Sequence, residues 1–311
     1  MEFYRIQGGR PLHGAVRLQG AKNSALPILA AAAAVEGTCV LHHCPQLTDI
    51  DATVAMLRHI GCRVEQSGET VAVDASAAGG WEIPEHLMRE MRSSIIFLGA
   101  LIARFGRATV TQPGGCDIGL RPIDLHLSAL QAMGVHVEES GGQIRCSAPD
   151  GVRAAELPLT LPSVGATENI LLAALCAKGE TVIRNAAREP EIGDLASFLR
   201  ACGAEIAGDG ESTVHIQGGR RLRGAEFTIM PDRIAAATCA AAAPLWRRPS
   251  AQKGKRPLRG LRISTVAARA LRKRCGASAR KSNENRNEVR RWRPKKRGSV
   301  LKSEKFCARC L

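Results

Sequence analysis

Apolar residues recur at helical spacing in three separate stretches of the chain, residues 48–74, 121–147 and 190–217. In each stretch the apolar positions lie three or four residues apart, which places them on one face of a helix. These positions are Ile50, Val54, Leu57 and Ile60; Ile123, Leu127, Leu130 and Met133; and Ile192, Leu195, Leu199 and Cys202. The pattern predicts three amphipathic helices.

A glycine directly follows each predicted helix, at Gly61, Gly134 and Gly203. Glycine at this position is typical of a helix C-terminal cap. A short alternating segment comes next, and a turn then leads to a second alternating segment at residues 70–74, 143–147 and 213–217. Each helix is therefore expected to be followed by a β-hairpin.

A second helical segment precedes each of these motifs and ends in its own glycine, at Gly37, Gly106 and Gly179. Both sets of glycines, those that end the first helices and those that end the amphipathic helices, recur about every 70 residues. The chain therefore repeats a β-α-β-α-β-β unit of about 70 residues three times. A fourth copy begins at residues 218–224, which echo residues 8–14, and it stops at Ala243. A single mixed sheet with chance periodicity is the alternative, and the six matched glycines argue against it.

Units of this kind cannot bury their apolar faces alone. Stacking them with the helices inside and the sheets outside predicts an α/β fold, an inside-out α/β barrel.

The pattern changes abruptly after Ala243. The whole chain has a formal charge of +15, but residues 244–311 hold 23 basic and 3 acidic residues, which leaves 21 basic and 26 acidic residues in the body. One interpretation is a basic tail that binds nucleic acid through its phosphates. The other, which we favour, is a shift of reading frame, because the break falls inside a predicted helix. Translating the gene beyond codon 243 in the other two frames tests this hypothesis.

Other features suggest a cytoplasmic protein with reduced cysteines and no membrane-spanning helix. The 11 cysteines have no repeated spacing and are expected to be free thiols, and the Cys307–Cys310 pair is assigned no role. The N-terminus lacks the features of a signal peptide, and the longest uncharged apolar stretch of the body, residues 26–35, is too short for a membrane helix.

Two predicted helix starts carry a cation. Residues 20–27 place Lys22 and Asn23 at the first, and Arg92 lies at the equivalent point of the second repeat. A helix start offers unpaired N–H groups that suit a phosphate or carboxylate. For Lys22 alone, an ordinary polar cap with a solvated lysine is the alternative.

The most irregular loop of the body, residues 113–124, contains three glycines around Cys116. Such a loop can act as a mobile lid. Arg121 lies close by in sequence and could lower the pKa of the thiol towards a reactive range.

These residues together resemble one family. The segments G-A-K-N-S, M-R-S-S and G-G-C-D-I-G-L-R-P-I-D, the turn at residues 163–167 and the segment 185–192 closely resemble UDP-N-acetylglucosamine 1-carboxyvinyltransferases, a family of enolpyruvyl transferases. The resemblance covers residues 1 to about 243, a little over half of the family's usual length. It implies six repeats in two inverted domains, with the active site between the domains.

The resemblance implies a reaction and its residues. The enolpyruvyl group of phosphoenolpyruvate would pass to the 3′-hydroxyl of UDP-N-acetylglucosamine, the first committed step of peptidoglycan synthesis, without a metal or other cofactor. Cys116 would be the catalytic proton donor and the target of fosfomycin. Phosphoenolpyruvate would be bound by Lys22, Asn23 and Arg121. The UDP-sugar would be bound by Arg92, Arg121, Pro122, Ile123, Asp124, Leu125, Leu161, Pro162, Ser163 and Val164.

The resemblance also sets domain boundaries and a limit. Residues 22–229 are expected to form a three-repeat domain, residues 1–21 and 230–243 belong to an incomplete domain, and residues 244–311 form the tail. The family's general base lies in the half that this chain does not resemble, so the chain as written is expected to be inactive or nearly so. The alternatives are a 3-phosphoshikimate 1-carboxyvinyltransferase, or a non-enzymatic fragment whose tail binds nucleic acid. We expect no membrane partner, and nucleic acid only through non-specific contacts of the tail.

Overall fold

The computed structural model describes residues 15–114 and 122–242, with side chains as far as residue 240. The predictions for Cys116, Arg121 and the basic tail lie outside the described residues. So do those for residues 1–14.

The described elements follow the predicted repeat closely. The helices are α1 (Lys22–Ala32), α2 (Thr48–His59), α3 (Glu85–Met88), a 3-10 helix (Arg92–Ile96), α4 (Phe97–Phe105), α5 (Asp124–Ala132), α6 (Val164–Ala174), α7 (Pro190–Ala201) and α8 (Arg233–Ala242). The strands are β1 (Thr38–His42), β2 (Arg63–Ser67), β3 (Thr70–Asp74), β4 (Arg107–Thr111), β5 (His136–Ser140), β6 (Gln143–Ser147), β7 (Glu156–Pro158), β8 (Glu180–Arg184), β9 (Glu205–Ala207), β10 (Thr213–Gln217) and β11 (Glu226–Thr228). The three predicted amphipathic helices are α2, α5 and α7, and the closing strands of the three hairpins are β3, β6 and β10, as predicted.

Each repeat contributes one sheet. The strand orders are β11-β1-β3-β2, β4-β6-β5 and β7-β8-β10-β9. Each sheet contains the predicted antiparallel hairpin. The closing strand of the hairpin also pairs antiparallel with the strand that precedes the amphipathic helix. A parallel strand at the edge completes the first and third sheets. In the second repeat this strand is reduced to one bridge between Glu82 and Thr109.

The first strand of the fourth copy pairs with the first repeat. β11 lies parallel to β1, with Val40 opposite Glu226. The end of the three-repeat segment thereby pairs with its beginning and supplies the edge strand of the first sheet. β11 can pair here because a strand needs only a free sheet edge, and β1 offers one.

The six matched glycines have the backbone conformation that the sequence predicts. Gly37, Gly61, Gly106, Gly134, Gly179 and Gly203 all have positive φ, between 65° and 109°. This left-handed region is accessible to glycine at little cost and costs other residues about 1 kcal/mol or more. The repeat therefore depends on glycine at these helix ends.

The helices that open the three repeats form the interior of this part of the chain. Three runs are fully buried: residues 24–32 of α1, residues 97–102 of α4 and residues 166–174 of α6. The strands instead alternate between buried and more exposed positions, as in β1 and β4. The described part thus has helices inside and sheets outside, as predicted, and the fold class is α/β.

The chain divides into two compact units. The larger unit is Gly20–Met230 and contains the three sheets. In the described part of the other unit, the backbone N–H of Asp232 donates to the Gln19 carbonyl at 2.9 Å, and Leu18 packs against Ala236 of α8. No helix among residues 15–114 and 122–242 is long and apolar enough to cross a membrane.

Candidate active site

The three inner helices α1, α4 and α6 run parallel, so that they begin at one end of the larger unit. Between the middle of α6 and the first turn of α4, the Asn169 side chain accepts a hydrogen bond from the Gly99 N–H at 2.7 Å. At their other ends, the Cys176 thiol lies 3.9 Å from the Ile102 carbonyl oxygen. The C-terminal ends of all three helices line one cavity of 340 Å³, which includes Ala34 and Arg104. Their N-terminal ends therefore share the opposite side, where Lys22, Arg92 and Val164 lie.

Lys22 opens α1 and lies in a largely buried ion pair. Its Nζ atom is 3.0 Å from Oδ2 of Asp49 in the first turn of α2, and each side chain is only 12% exposed. The alternative of a solvated lysine is therefore wrong. The Asp49 carboxylate offsets the cost of burying the ammonium group and fixes its position. The next residue, Asn23, is exposed.

A half-buried carboxylate on α7, that of Asp194, holds the start of α1 in place. Oδ2 of Asp194 accepts hydrogen bonds from the Ser24 hydroxyl and from the Met230 N–H, the latter at 3.1 Å. The Met230 carbonyl in turn accepts the N–H of Ala21 at 2.7 Å. Burial raises the pKa of Asp194, while the hydrogen bond from Ser24 opposes this shift. Asp194 thus fixes the backbone on both sides of Lys22 and Asn23.

Arg92 begins a 3-10 helix that leads directly into α4, at the point where the sequence predicted a helix start. The buried Ser94 hydroxyl bonds the carbonyls of Met88 and Met91, at 2.8 and 2.9 Å. The tighter turn is explained by these bonds, which keep residues 88–94 close together. Both α1 and α6 contact this 3-10 helix, and Asn169 of α6 donates a hydrogen bond to its Ile95 carbonyl at 3.1 Å.

The described residues predicted to bind the UDP-sugar precede or open α5 and α6. Pro122 and Asp124 are exposed, Leu125 is half-buried and Ile123 is buried, which leaves only its backbone for a ligand contact. Before α6, Pro162 is exposed, and Leu161 is 67% exposed, the more exposed of the two large hydrophobic side chains that are exposed in the described residues. Val164, the first residue of α6, is half-buried, and Ser163 caps the helix by accepting a hydrogen bond from the Ala166 N–H at 3.3 Å.

Several helix starts at this end lack a side-chain cap. Within the described ranges, no side chain caps α1, the 3-10 helix or α5. Uncapped starts of this kind, with a basic residue beside two of them, can bind phosphate or carboxylate groups. Among the same residues no group of three or more His, Cys, Asp or Glu side chains could hold a metal ion.

The free cysteines agree with the sequence prediction. The described cysteines form no disulfide; Cys39, Cys44, Cys62, Cys146 and Cys202 are buried, and Cys176 and Cys239 are half-buried. Burial raises the pKa of the Cys44 and Cys146 thiols to about 12, and that of Cys62 to about 11. These three thiols are therefore protonated at neutral pH and serve as small packing groups.

Glu168 is a buried carboxyl group in α6, only 3% exposed. Burial raises its pKa well above the usual 4.5, and the negative charges of Glu191 and Glu189 add to this shift. The folded protein therefore keeps a proton that the unfolded chain releases as the pH rises above about 4.5. The contribution of Glu168 to stability is therefore most favourable below that pH and falls as the pH rises towards the pKa of the folded state.

Glu168→Gln is expected to remove this pH dependence. At pH 8 the variant should be more stable than the wild type by about 1 kcal/mol or more, because each unit of pKa shift corresponds to about 1.4 kcal/mol. Urea unfolding at pH 5 and pH 8 measures the effect, with Glu65→Gln on the exposed face of β2 as the control. Equal pH slopes for the wild type and Glu168→Gln would contradict a raised pKa.

Sequence reasoning did not identify Asp49, Asp194, His126 or Asn169. The one available signal was the polar run Thr167-Glu168-Asn169 inside an otherwise apolar helix, which points to buried polar groups with partners. The aspartates occupy ordinary positions on amphipathic helices, where exposed acidic residues are common, so their pattern carried no such signal.

The chain is similar to several known proteins. Residues 6–288 match the family EPSP synthase (3-phosphoshikimate 1-carboxyvinyltransferase). The chain is 56% identical over 244 residues to UDP-N-acetylglucosamine 1-carboxyvinyltransferase 2 of Caldanaerobacter subterraneus subsp. tengcongensis, covering 78% of this chain and 58% of that protein. It is 47% identical over 249 residues to UDP-N-acetylglucosamine 1-carboxyvinyltransferase 1 of Symbiobacterium thermophilum, covering 78% and 56%. The chain thus spans less than three fifths of the length of these relatives.

The fold of the chain is also similar to that of solved structures. The enolpyruvyl transferase NikO from Streptomyces tendae superposes with a TM-score of 0.67 at 27% identity, over 76% of this chain and 56% of that one. The EPSP synthase from Acinetobacter baumannii gives a TM-score of 0.64 at 22% identity, over 76% and 54%, which is a likeness of fold. The match of sequence over most of the chain, together with this fold, shows that the chain belongs to the EPSP synthase family of enolpyruvyl transferases.

Proposed function

We propose that the protein to which this chain corresponds transfers the enolpyruvyl group of phosphoenolpyruvate to the 3′-hydroxyl of UDP-N-acetylglucosamine. This reaction begins peptidoglycan synthesis, in the cytoplasm. The observation that carries the proposal is the common end of the three inner helices, where Lys22, Arg92 and Val164 lie. The names of the 56% and 47% identical relatives support the choice of acceptor.

The charges at this end suit two anionic substrates. Phosphoenolpyruvate carries a carboxylate and a phosphate, and Lys22 supplies a cation whose position Asp49 fixes. We assign Lys22, Asn23 and Arg121 to phosphoenolpyruvate. Cys116 is assigned the proton donation in the addition step and the covalent reaction with fosfomycin.

The UDP-sugar is assigned to the starts of the other helices. Its diphosphate suits the basic Arg92 and the N–H groups at the start of α5, whereas the capped start of α6 offers the Ser163 hydroxyl. Arg121–Leu125 and Leu161–Val164 would hold the nucleotide between them. The general base and the remaining phosphoenolpyruvate contacts are assigned to the part of the relatives that this chain does not span, so catalysis needs the longer protein.

The proposal predicts that this chain binds UDP-N-acetylglucosamine without turning it over. Titration of the isotopically labelled chain, followed by NMR, should shift the signals of residues 122–125 and 161–164. Arg92→Ala should weaken binding about tenfold, because a charge-assisted contact to phosphate contributes roughly 1.5–3 kcal/mol. Arg89→Ala removes a nearby, 69% exposed arginine that pairs with Glu85, and it should leave binding unchanged.

The acceptor is decided by a parallel titration with shikimate 3-phosphate. Saturable shifts with shikimate 3-phosphate and none with the UDP-sugar would overturn the proposal in favour of the alternative reaction that the family name describes. If Arg92→Ala and the wild type bound UDP-N-acetylglucosamine equally well, Arg92 would not be a UDP-sugar-binding residue.

A further inference from the structure

His126 is a buried histidine that none of the assignments above uses. It lies in the first turn of α5 and is only 7% exposed. Its Nδ1 atom is 2.7 Å from Nδ2 of Asn169, an asparagine of α6 with no exposed surface. The ring therefore links the starts of α5 and α6.

The Asn169 amide determines which ring nitrogen of His126 carries the proton. Oδ1 of Asn169 accepts the Gly99 N–H at 2.7 Å, and Nδ2 also donates to the Ile95 carbonyl at 3.1 Å. These two bonds fix the amide with its NH₂ group towards His126. Because an NH₂ group only donates, Nδ1 of His126 accepts, and the proton of the neutral ring is on Nε2.

The opposite edge of the ring lies against Gly165 in the first turn of α6. A Cβ atom at Gly165 would be 2.9 Å from Cε1 and 3.3 Å from Nε2 of His126. The ring thus fills the space between Asn169 and the backbone at Gly165, and a side chain at Gly165 would displace it.

The surroundings keep the ring neutral. Burial and, to a smaller extent, the positive charge of Arg92 lower the pKa of His126 to about 4. At neutral pH the ring is uncharged, so its acceptor bond from Asn169 persists.

We propose that His126 is a positioning residue that sets the spacing between the two segments assigned to the UDP-sugar. Residues 122–125 directly precede His126, and residues 161–164 directly precede Gly165. The contact of the ring with Gly165 therefore links the two backbone segments that are assigned to the UDP-sugar. This inference rests on the proposed function for the identity of the ligand.

A double-mutant cycle on the whole chain tests the link. His126→Asn keeps an acceptor near the place of Nδ1 but removes the ring edge, and Gly165→Ala keeps Asn169 but displaces the ring. Each single change should weaken binding of UDP-N-acetylglucosamine about tenfold, as expected when a packed buried contact is lost. In the double variant the new methyl group occupies the vacated space, so the loss should be clearly smaller than the hundredfold product.

Stability is measured beside affinity, because a purely structural role would lower the melting temperature alone. Phe198→Leu is the matched control: Phe198 is fully buried and packs edge-on against Phe227, with 5.7 Å between ring centroids. It should destabilise the chain and leave UDP-sugar binding unchanged. If His126→Asn does not fold, Gly165→Ala alone carries the affinity test.

The outcomes separate the two proposals. Failure of the wild type to bind the UDP-sugar would overturn the proposed function and, with it, this inference. Normal binding by the wild type and equally by both single variants would overturn the role of His126 alone. Fully multiplicative losses in the double variant would also overturn it, because the two residues would then act independently.

Discussion

Gly224→Ala is expected to destabilise the larger unit by about 3 kcal/mol, a large fraction of the stability of a typical domain. A Cβ atom at this position would lie 2.1 Å from the Thr38 carbonyl oxygen and 2.7 Å from its carbon. Both are backbone atoms of β1 and cannot move as a flexible side chain would. The Gly224 N–H also donates to the Glu36 carbonyl at 2.7 Å, so relieving the clash would break this bond.

The change acts on the pairing of β11 with β1, which joins the end of the three-repeat segment to its beginning. Urea unfolding measures it, with Gly79→Ala as the control, since Gly79 is exposed and nothing lies within 4 Å of its added Cβ atom. The control should change the free energy of unfolding by less than about 0.5 kcal/mol. Similar stabilities for the two variants would mean that β11 does not pack against β1 as described.

Asn169→Ala is expected to cost a similar free energy, about 3 kcal/mol. The Asn169 side chain bonds the Gly99 N–H, the Ile95 carbonyl and Nδ1 of His126, and none of its surface is exposed. Removing it leaves three buried polar groups without this partner, and each such loss costs roughly 1–3 kcal/mol before relaxation. These bonds also connect α4, α5 and α6, so their loss should loosen the starts of three helices together.

Asn23→Ala is the control for this variant, because Asn23 is an exposed asparagine at the start of α1. Its effect on the free energy of unfolding should stay within about 0.5 kcal/mol. Hydrogen exchange should show faster exchange at Gly99 in Asn169→Ala, since its N–H loses its acceptor. An unchanged exchange rate at Gly99 would contradict the described bond.

The repeat was predictable because its signals are local. Apolar spacing identified α2, α5 and α7, and the glycines at the helix ends have the positive φ that their positions require. The closing strands Thr70–Asp74, Gln143–Ser147 and Thr213–Gln217 begin and end where the alternation does. Each of these features depends on residues that are close in sequence.

The candidate site was predictable only in part. Lys22, Asn23 and Arg92 were identified as basic or polar residues at helix starts, and the structure places Lys22 and Arg92 at helix starts on the same end of the unit. Asp49 and Asp194, which fix the start of α1, were not identified. An acidic residue on an amphipathic helix has the same sequence pattern whether it faces solvent or a buried lysine.

By itself, the sequence determined the three-repeat α/β architecture, the charge difference between the body and the residues after 243, and the family resemblance. Only the tertiary structure decided that β11 pairs with β1, that Asp49 pairs with Lys22, and that His126 lies between Asn169 and Gly165. The partners in these contacts are 27 to 186 residues apart in the chain. Local propensity cannot specify such pairs, because they form only after three separate repeats have packed around a common set of buried helices.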